Sequence, residues 1–305
     1  MDRRNFIKKN VIAASVAASG LGTHQAISAS LDKKGEPFNL NYAPHFGMFK
    51  NLAGNDLIDQ LHFMADQGFA SLEDNGMMKR DIAMQNKIGE TMAKLDMTMG
   101  VFVVDKGGNG ANSLAAGKKE YVDIFLDGCK RAVEVAKRVN AKWMTVVPGN
   151  FERSLPLDVQ NANVIEALRR GAEIFEPHGL VMVLEPLSDN ADLYLRDSAQ
   201  TYMVCKGVNS PSCKILYDIY HMQKNEGHLI HNINLTWDEI AYFQIGDNPG
   251  RKEPTTGEIN YLNVFKHIYD KGYRGIMGME HGNKNPGKEG EQAVIDAYRK
   301  VDAFM

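Results

Sequence analysis

The chain has 305 residues, is 44% hydrophobic and carries a formal charge of −3, so it is long enough for one large domain or two ordinary ones. The near-neutral balance gives no electrostatic reason to expect nucleic acid or an acidic membrane surface as a partner. Cys129, Cys205 and Cys213 form an odd set without CxxC or CxxH spacing, which indicates neither a thiolate zinc site nor a disulfide framework.

Residues 1–30 read as an address rather than part of the fold. Asp2-Arg3-Arg4-Asn5-Phe6-Ile7-Lys8 resembles a twin-arginine export signal. The apolar stretch that follows, Val11 to Leu21, is too short and too rich in small residues to span a bilayer stably. Ser28, Ala29 and Ser30 offer a cleavage site, and no nearby cysteine supports a lipid anchor. The expectation is a periplasmic protein passed through the twin-arginine machinery already folded, with no stable membrane anchor.

From residue 36 onward, short apolar runs alternate with amphipathic segments. Asn39 to Ala43 reads as a first strand, followed by a helix over Leu57 to Gln67. Gly68 to Asp74 is a second strand, and a helix through Ile82 to Leu95 leads to a third at Met99 to Val104. A longer helix from Lys119 to Val139 leads to Trp143 to Gly149, and a helix over Asn161 to Pro177 delivers a fifth strand at Val181. Three further strands follow, with a last helix over Glu291 to Ala303. No Gly-rich phosphate turn follows Ala43, which argues against a doubly wound open sheet. Gly107 to Gly110 lacks a Lys-Ser/Thr pair and reads as a flexible rim loop. The alternation predicts α/β architecture, a single (β/α)8 TIM barrel over residues 36–305.

Four apolar runs in the second half each end on an oxygen-bearing side chain: VMVLE at Glu185, KILYD at Asp218, IAYFQ at Gln244 and IMGME at Glu280. They recur at about the 30-residue length of a strand–helix–strand unit. Strand ends so spaced converge on the C-terminal rim, where a barrel carries its active site. A single carboxylate at a strand end is as readily a rim residue paired with Lys or Arg. Three carboxylates and an amide oxygen in consecutive strands instead predict a site for one divalent cation. The all-oxygen set favours Mn²⁺ or Mg²⁺ over Zn²⁺. His221, three residues beyond Asp218, fits a partner of a ligand, a substrate contact or a loop histidine. Arg251 lies in the polar loop after Gln244, where it could clamp a carboxylate or phosphate; pairing with Glu253 or Glu258 is the plainer alternative.

Glu185-Pro186, Asp218-x-x-His221, the Pro249-Gly-Arg251-x-Glu253-Pro-x-x-Gly-Glu258-Ile-Asn-Tyr261 stretch and Glu280 together resemble the hydroxypyruvate isomerase family, within the xylose-isomerase-like sugar isomerase and epimerase barrels. The resemblance runs from about residue 38 to the end and is most specific in the loop around Arg251. It implies one metal held by Glu185, Asp218, Gln244 and Glu280, with Glu185 and Glu280 doubling as the acid–base pair. The activity it implies is aldose–ketose isomerisation of a small keto acid or sugar, by proton transfer through a metal-held enediolate. His221 and Arg251 would contact the substrate, Arg251 taking a carboxylate. A ketose 3-epimerase, an exported lyase of keto-glycosides and a non-catalytic periplasmic sugar-binding protein are the alternatives. Oligomeric state stays open.

Overall fold

Two hydrophobic periods shape the chain from Asn41 onward, alternation within the strands and a helical stripe between them. The computed structural model describes residues 35–305; the export signal expected over residues 1–30 lies outside the described residues. The strands are β1 (Asn41–Ala43), β2 (Ser71–Leu72), β3 (Thr98–Met99), β4 (Val101–Val103), β5 (Trp143–Val146), β6 (Val181–Leu184), β7 (Cys213–Asp218), β8 (Ile240–Gln244) and β9 (Ile276–Gly278). The helices are α1 (Lys50–Ala53), α2 (Leu57–Asp66), α3 (Ile82–Leu95), α4 (Lys119–Val139), α5 (Leu157–Phe175), α6 (Ser198–Val208), α7 (Ile219–Asn225), α8 (Leu229–Thr236), α9 (Tyr261–Asp270) and α10 (Gly287–Val301).

All strand pairs are parallel, in the order β1-β9-β8-β7-β6-β5-β4, with β2 and β3 as a separate pair. Backbone bonds across the gap close the ring: Glu73 N–H donates to Pro44 O at 2.9 Å, and Gly100 N–H to Leu72 O at 2.7 Å. The third strand expected at Met99 to Val104 is therefore present but divided at Gly100. A side chain there would run into the Tyr242 hydroxyl, so the strand bends at the residue that has none. The result is an eight-stranded TIM barrel.

Alternation sorts the strand residues into two cores. Ala43, Val101, Val183, Leu216, Tyr242 and Ile276 fill the barrel interior. Their neighbours Tyr42, Phe102, Met182, Tyr217, Phe243 and Met277 pack outward against the helices. Both layers are buried, and truncating one fully buried aromatic such as Phe125 to alanine costs about 3–5 kcal/mol in such a core.

Helix ends follow local chemistry. Asp56, Asp81 and Asp197 accept backbone N–H groups at the starts of α2, α3 and α6. Asp96, Asn140 and Asn209 take the left-handed conformation that stops α3, α4 and α6. The last helix begins at Gly287, before the expected Glu291, because its first turn is largely exposed and carries no apolar signal. Among the described residues, no helix is long and apolar enough to cross a membrane.

The C-terminus ties back to the first strand. Asp302, just past α10, accepts the N–H groups of Asn39 (2.6 Å) and Leu40 (3.2 Å) and the Tyr42 hydroxyl (2.9 Å). Asp302→Ala should lower unfolding free energy by about 2–3 kcal/mol, read from urea denaturation, because three donors lose a charged acceptor at once.

Candidate active site

Strand parity explains why the acids face one another. Glu185 lies two residues beyond inward-facing Val183, Asp218 two beyond Leu216, Gln244 two beyond Tyr242, and Glu280 four beyond Ile276. Each therefore points into the barrel mouth at the C-terminal end of its strand. Asp218 and Gln244 are directly paired in the β7–β8 register, and Gln244 pairs with Gly278 on β9. Donor atoms of Glu185, Asp218, His221 and Glu280 all lie within 4.8 Å of one another.

Asp218 serves two ends at once. Its Oδ1 caps α7, accepting the N–H groups of Tyr220 (2.8 Å) and His221 (3.3 Å). Its Oδ2 is left for the site, 3.6 Å from His221 Nε2 and 3.3 Å from Arg251 Nη2. The same cap brings His221 round on the first turn of α7, which is why a histidine at that spacing reaches the mouth. The backbone N–H of Ser188 donates to His221 Nδ1 at 3.1 Å, with Ser188 Oγ at 2.7 Å from the same nitrogen. A backbone N–H can only donate, so Nδ1 is the acceptor and a neutral ring carries its proton on Nε2. That N–H points among the carboxylates and has no hydrogen-bond partner among the described residues.

Arg251 faces inward. Its Nη2 is 2.8 Å from Glu280 Oε2, its Nε donates to the Glu280 carbonyl at 3.2 Å, and the guanidinium lies over the Tyr220 ring at 5.1 Å. Glu253 and Glu258 are engaged elsewhere, with the Lys284 N–H and Gln223 Nε2. Asp247 organises the loop that carries Arg251, accepting from Thr256, Gly257 and Ile259 N–H. Arg251 itself sits in left-handed backbone at φ 49°, an uncommon state held by the bond from its N–H to Asp247 O at 2.8 Å.

A further acid, Glu73, lies beneath this ring. It is the penultimate residue of the GFASLED run, two beyond Ser71, and the same signature, a strand closing on a carboxylate of inward parity, was available to find it. Fully buried, it accepts the Tyr242 hydroxyl at 2.9 Å and Gln244 Nε2 at 2.8 Å. That bond uses the amide nitrogen and leaves Gln244 Oε1 buried without a hydrogen-bond partner among the described residues. Asn75, two residues on, donates to Glu280 Oε1 at 2.8 Å. Gly278 makes room for the arrangement: a Cβ there would collide with Glu73 Oε2 and stand 3.2 Å from Gln244 Cγ.

Crowding sets the electrostatics. Burial, then Glu280 and Asp218, hold the Glu185 carboxyl well above the usual carboxylate range. Burial lifts Glu280 to about 8 against the pull of Arg251, with Asp218 adding to the rise. Burial and the nearby Glu280 likewise raise Glu73. Burial lowers the His221 pKa, in keeping with a neutral ring. Glu185 and Glu280 open onto one cavity of about 360 Å³, lined also by Asn75, Lys106, Leu187, Asp189 and Arg251.

These residues fit a hard divalent cation. Three carboxylates converge beside His221, and Gln244, paired with Asp218 in the β7–β8 register, carries an orphaned amide oxygen, a set of donors that a cation would satisfy.

Fold and site together define a barrel enzyme built around a carboxylate-rich mouth. Residues 61–301 match the family described as xylose isomerase-like TIM barrel. Hydroxypyruvate isomerase of Escherichia coli is 32% identical over 197 residues, 62% of this chain and 76% of that protein. A 2-oxo-tetronate isomerase of Pectobacterium atrosepticum is 28% identical over 161 residues, 52% of this chain and 62% of that protein. In fold, the chain is similar to the 3-keto-D-glucoside 4-epimerase of E. coli, with a TM-score of 0.71, 17% identity and coverage of 86% of this chain and 98% of that one. The chain belongs to the xylose isomerase-like TIM barrel family, as an enzyme of its hydroxypyruvate isomerase branch.

Gly278→Ala should cost about 1–3 kcal/mol by overpacking. A crystal structure of the variant should show the Glu73 carboxylate displaced and the Gln244 amide turned. An unshifted pair would show that the space beside Gly278 is not what sets Gln244.

Proposed function

We propose that the chain is a metal-dependent isomerase of a small keto acid or sugar, exported through the twin-arginine route. The observation that carries this reading is the facing pair Glu185 and Glu280. Both line one small cavity, and their ligand atoms lie within 4.8 Å of one another. Two carboxylates facing one substrate can take a proton at one carbon and return one at its neighbour, which is what moving hydrogen between adjacent carbons requires.

Glu185, Asp218, Glu280 and Gln244 Oε1 would hold the ion, Mn²⁺ or Mg²⁺. When bound, it supplies Lewis-acid polarisation of the substrate carbonyl and neighbouring hydroxyl. His221 is a donor in this reading rather than a ligand, because its Nε2 carries the proton and an N–H cannot coordinate a cation. One glutamate removes the proton alpha to the carbonyl, leaving an enediolate. The other returns a proton to the adjacent carbon. The His221 N–H steers the hydroxyl proton as it passes between oxygens. Arg251 offsets the charge of Asp218 and Glu280 at the cavity wall. Hydroxypyruvate, the substrate named for the E. coli relative, would yield tartronate semialdehyde.

Epimerisation is the second reading, favoured by the fold likeness to a keto-glucoside epimerase; it returns the proton to the same carbon from the opposite face. Turnover in D₂O followed by NMR separates the two. An isomerase places deuterium on the neighbouring carbon, an epimerase on the original carbon with inverted configuration. Glu185→Gln and Glu280→Gln should each lower kcat by about 10²–10⁴-fold with the fold kept. Near-native rates in both variants would overturn the acid–base assignment.

The ligand set has its own test. After chelator treatment, Mn²⁺ should raise the Tm of the wild type and of His221→Gln. Asp218→Asn and Gln244→Leu should lose most of that rise. If His221→Gln loses it and Gln244→Leu keeps it, the histidine is the ligand.

A further inference from the structure

Lys106 stands three residues beyond β4, on the wall of the cavity that holds Glu185, Glu280 and Arg251. It is only 4% exposed. Its ammonium donates to two carbonyls of its own loop, Gly108 O at 3.2 Å and Ala111 O at closer range. Asn112 Nδ2 returns a bond to Lys106 O at 2.6 Å, so the loop wraps the side chain. An ammonium has three N–H groups, and the third has no acceptor among the described residues. No carboxylate among the described residues pairs with it either.

That is an unusual condition for a buried cation, which is ordinarily paired. Burial lowers the Lys106 pKa to about 8, and no neighbouring charge raises it again. Arg251, a half-buried cation on the same cavity, is in the opposite condition, shared between Asp218 at 3.3 Å and Glu280 at 2.8 Å. A second carboxylate brought to Arg251 would compete with groups already bound to it. The cavity has Glu185, Asp189 and Glu280 as its acids; after β4, Lys106 stands next to Asp105, whose carboxylate turns to the Gly107 N–H and Arg131, and an exposed Lys79 also lines the wall.

We propose that Lys106 binds the carboxylate of the substrate, so that this isomerase acts on a small keto acid in preference to a neutral ketose. The inference rests on the isomerase reading above. A substrate held by its carbonyl end at Glu185 and Glu280 directs its far end across the cavity to the Gly107–Gly110 loop. One negative charge there completes the lysine's third hydrogen bond and its missing ion pair together. A neutral sugar would leave both unmade.

The test compares the metal-loaded full chain and its Lys106→Met and Lys106→Arg variants on hydroxypyruvate, on 2-oxotetronate and on two neutral ketoses, L-ribulose and D-tagatose. In Lys106→Met the ratio of kcat/KM on the acids to that on the ketoses should fall by about 10- to 100-fold, through KM. Lys106→Arg should recover most of the ratio. A second measurement needs no turnover: calorimetric titration with tartronate, a hydroxy diacid that cannot isomerise, should show the same weakening. If the wild type binds tartronate through Lys106 but turns over none of the four compounds, the isomerase reading fails and the carboxylate site stands. A parallel loss on acids and ketoses would reduce Lys106 to a clasp for its loop and overturn the proposal. So would an unchanged ratio, or a wild type that neither binds tartronate nor turns over an acid.

Discussion

Like charges packed at the barrel mouth are the constraint around which the rest is arranged. Glu73, Glu185, Asp218 and Glu280 converge there, and among the described residues Arg251 is the cation paired to this group. In a dry barrel such a cluster works against folding: each carboxylate loses water and faces others of its sign. Three raised carboxyls record that cost. A divalent cation is the natural complement to the arrangement. The outer core, dense with buried aromatic and aliphatic side chains, supplies the stability the mouth gives up.

The groups around the acids hold them in distinct states. Asp218 has one oxygen fixed by the start of α7 and the other turned to the site, where Arg251 Nη2 reaches it at 3.3 Å, so its orientation is set largely by backbone. Glu73 presses on Gln244 from below and determines which end of the amide is left unbonded. Ser188 does the same for His221, selecting the tautomer that presents an N–H. Glu280 is held on both oxygens, by Asn75 and by Arg251. Reacting groups kept in one orientation by neighbours need little reorganisation when substrate arrives.

The loops show a division of labour. The segment after β8 is knit by Asp247 and brings Arg251 back over the mouth, a rigid wall. The Gly107–Gly110 segment after β4 is exposed for most of its length and is pinned by Lys106 from within.

The barrel was legible in the chain because it depends on local periods. Eight apolar runs separated by amphipathic helices leave few other architectures. Glu185, Asp218, Gln244 and Glu280 were legible for the same reason, since a polar oxygen closing an apolar strand of inward parity has only the rim to occupy. What tertiary structure alone decided are relations between strands far apart in sequence. Gln244 and Glu73 meet across the barrel, 171 residues apart, and that contact determines which amide atom faces the acids. Arg251 could pair with nearby Glu253 by sequence distance, but the loop folds it onto Asp218 and Glu280 instead. Lys106 reads as one more polar residue in a glycine-rich loop until burial and the lack of a counter-charge set it apart. Periodicity places a side chain on a face; its partner there depends on the closed ring, which no local pattern encodes.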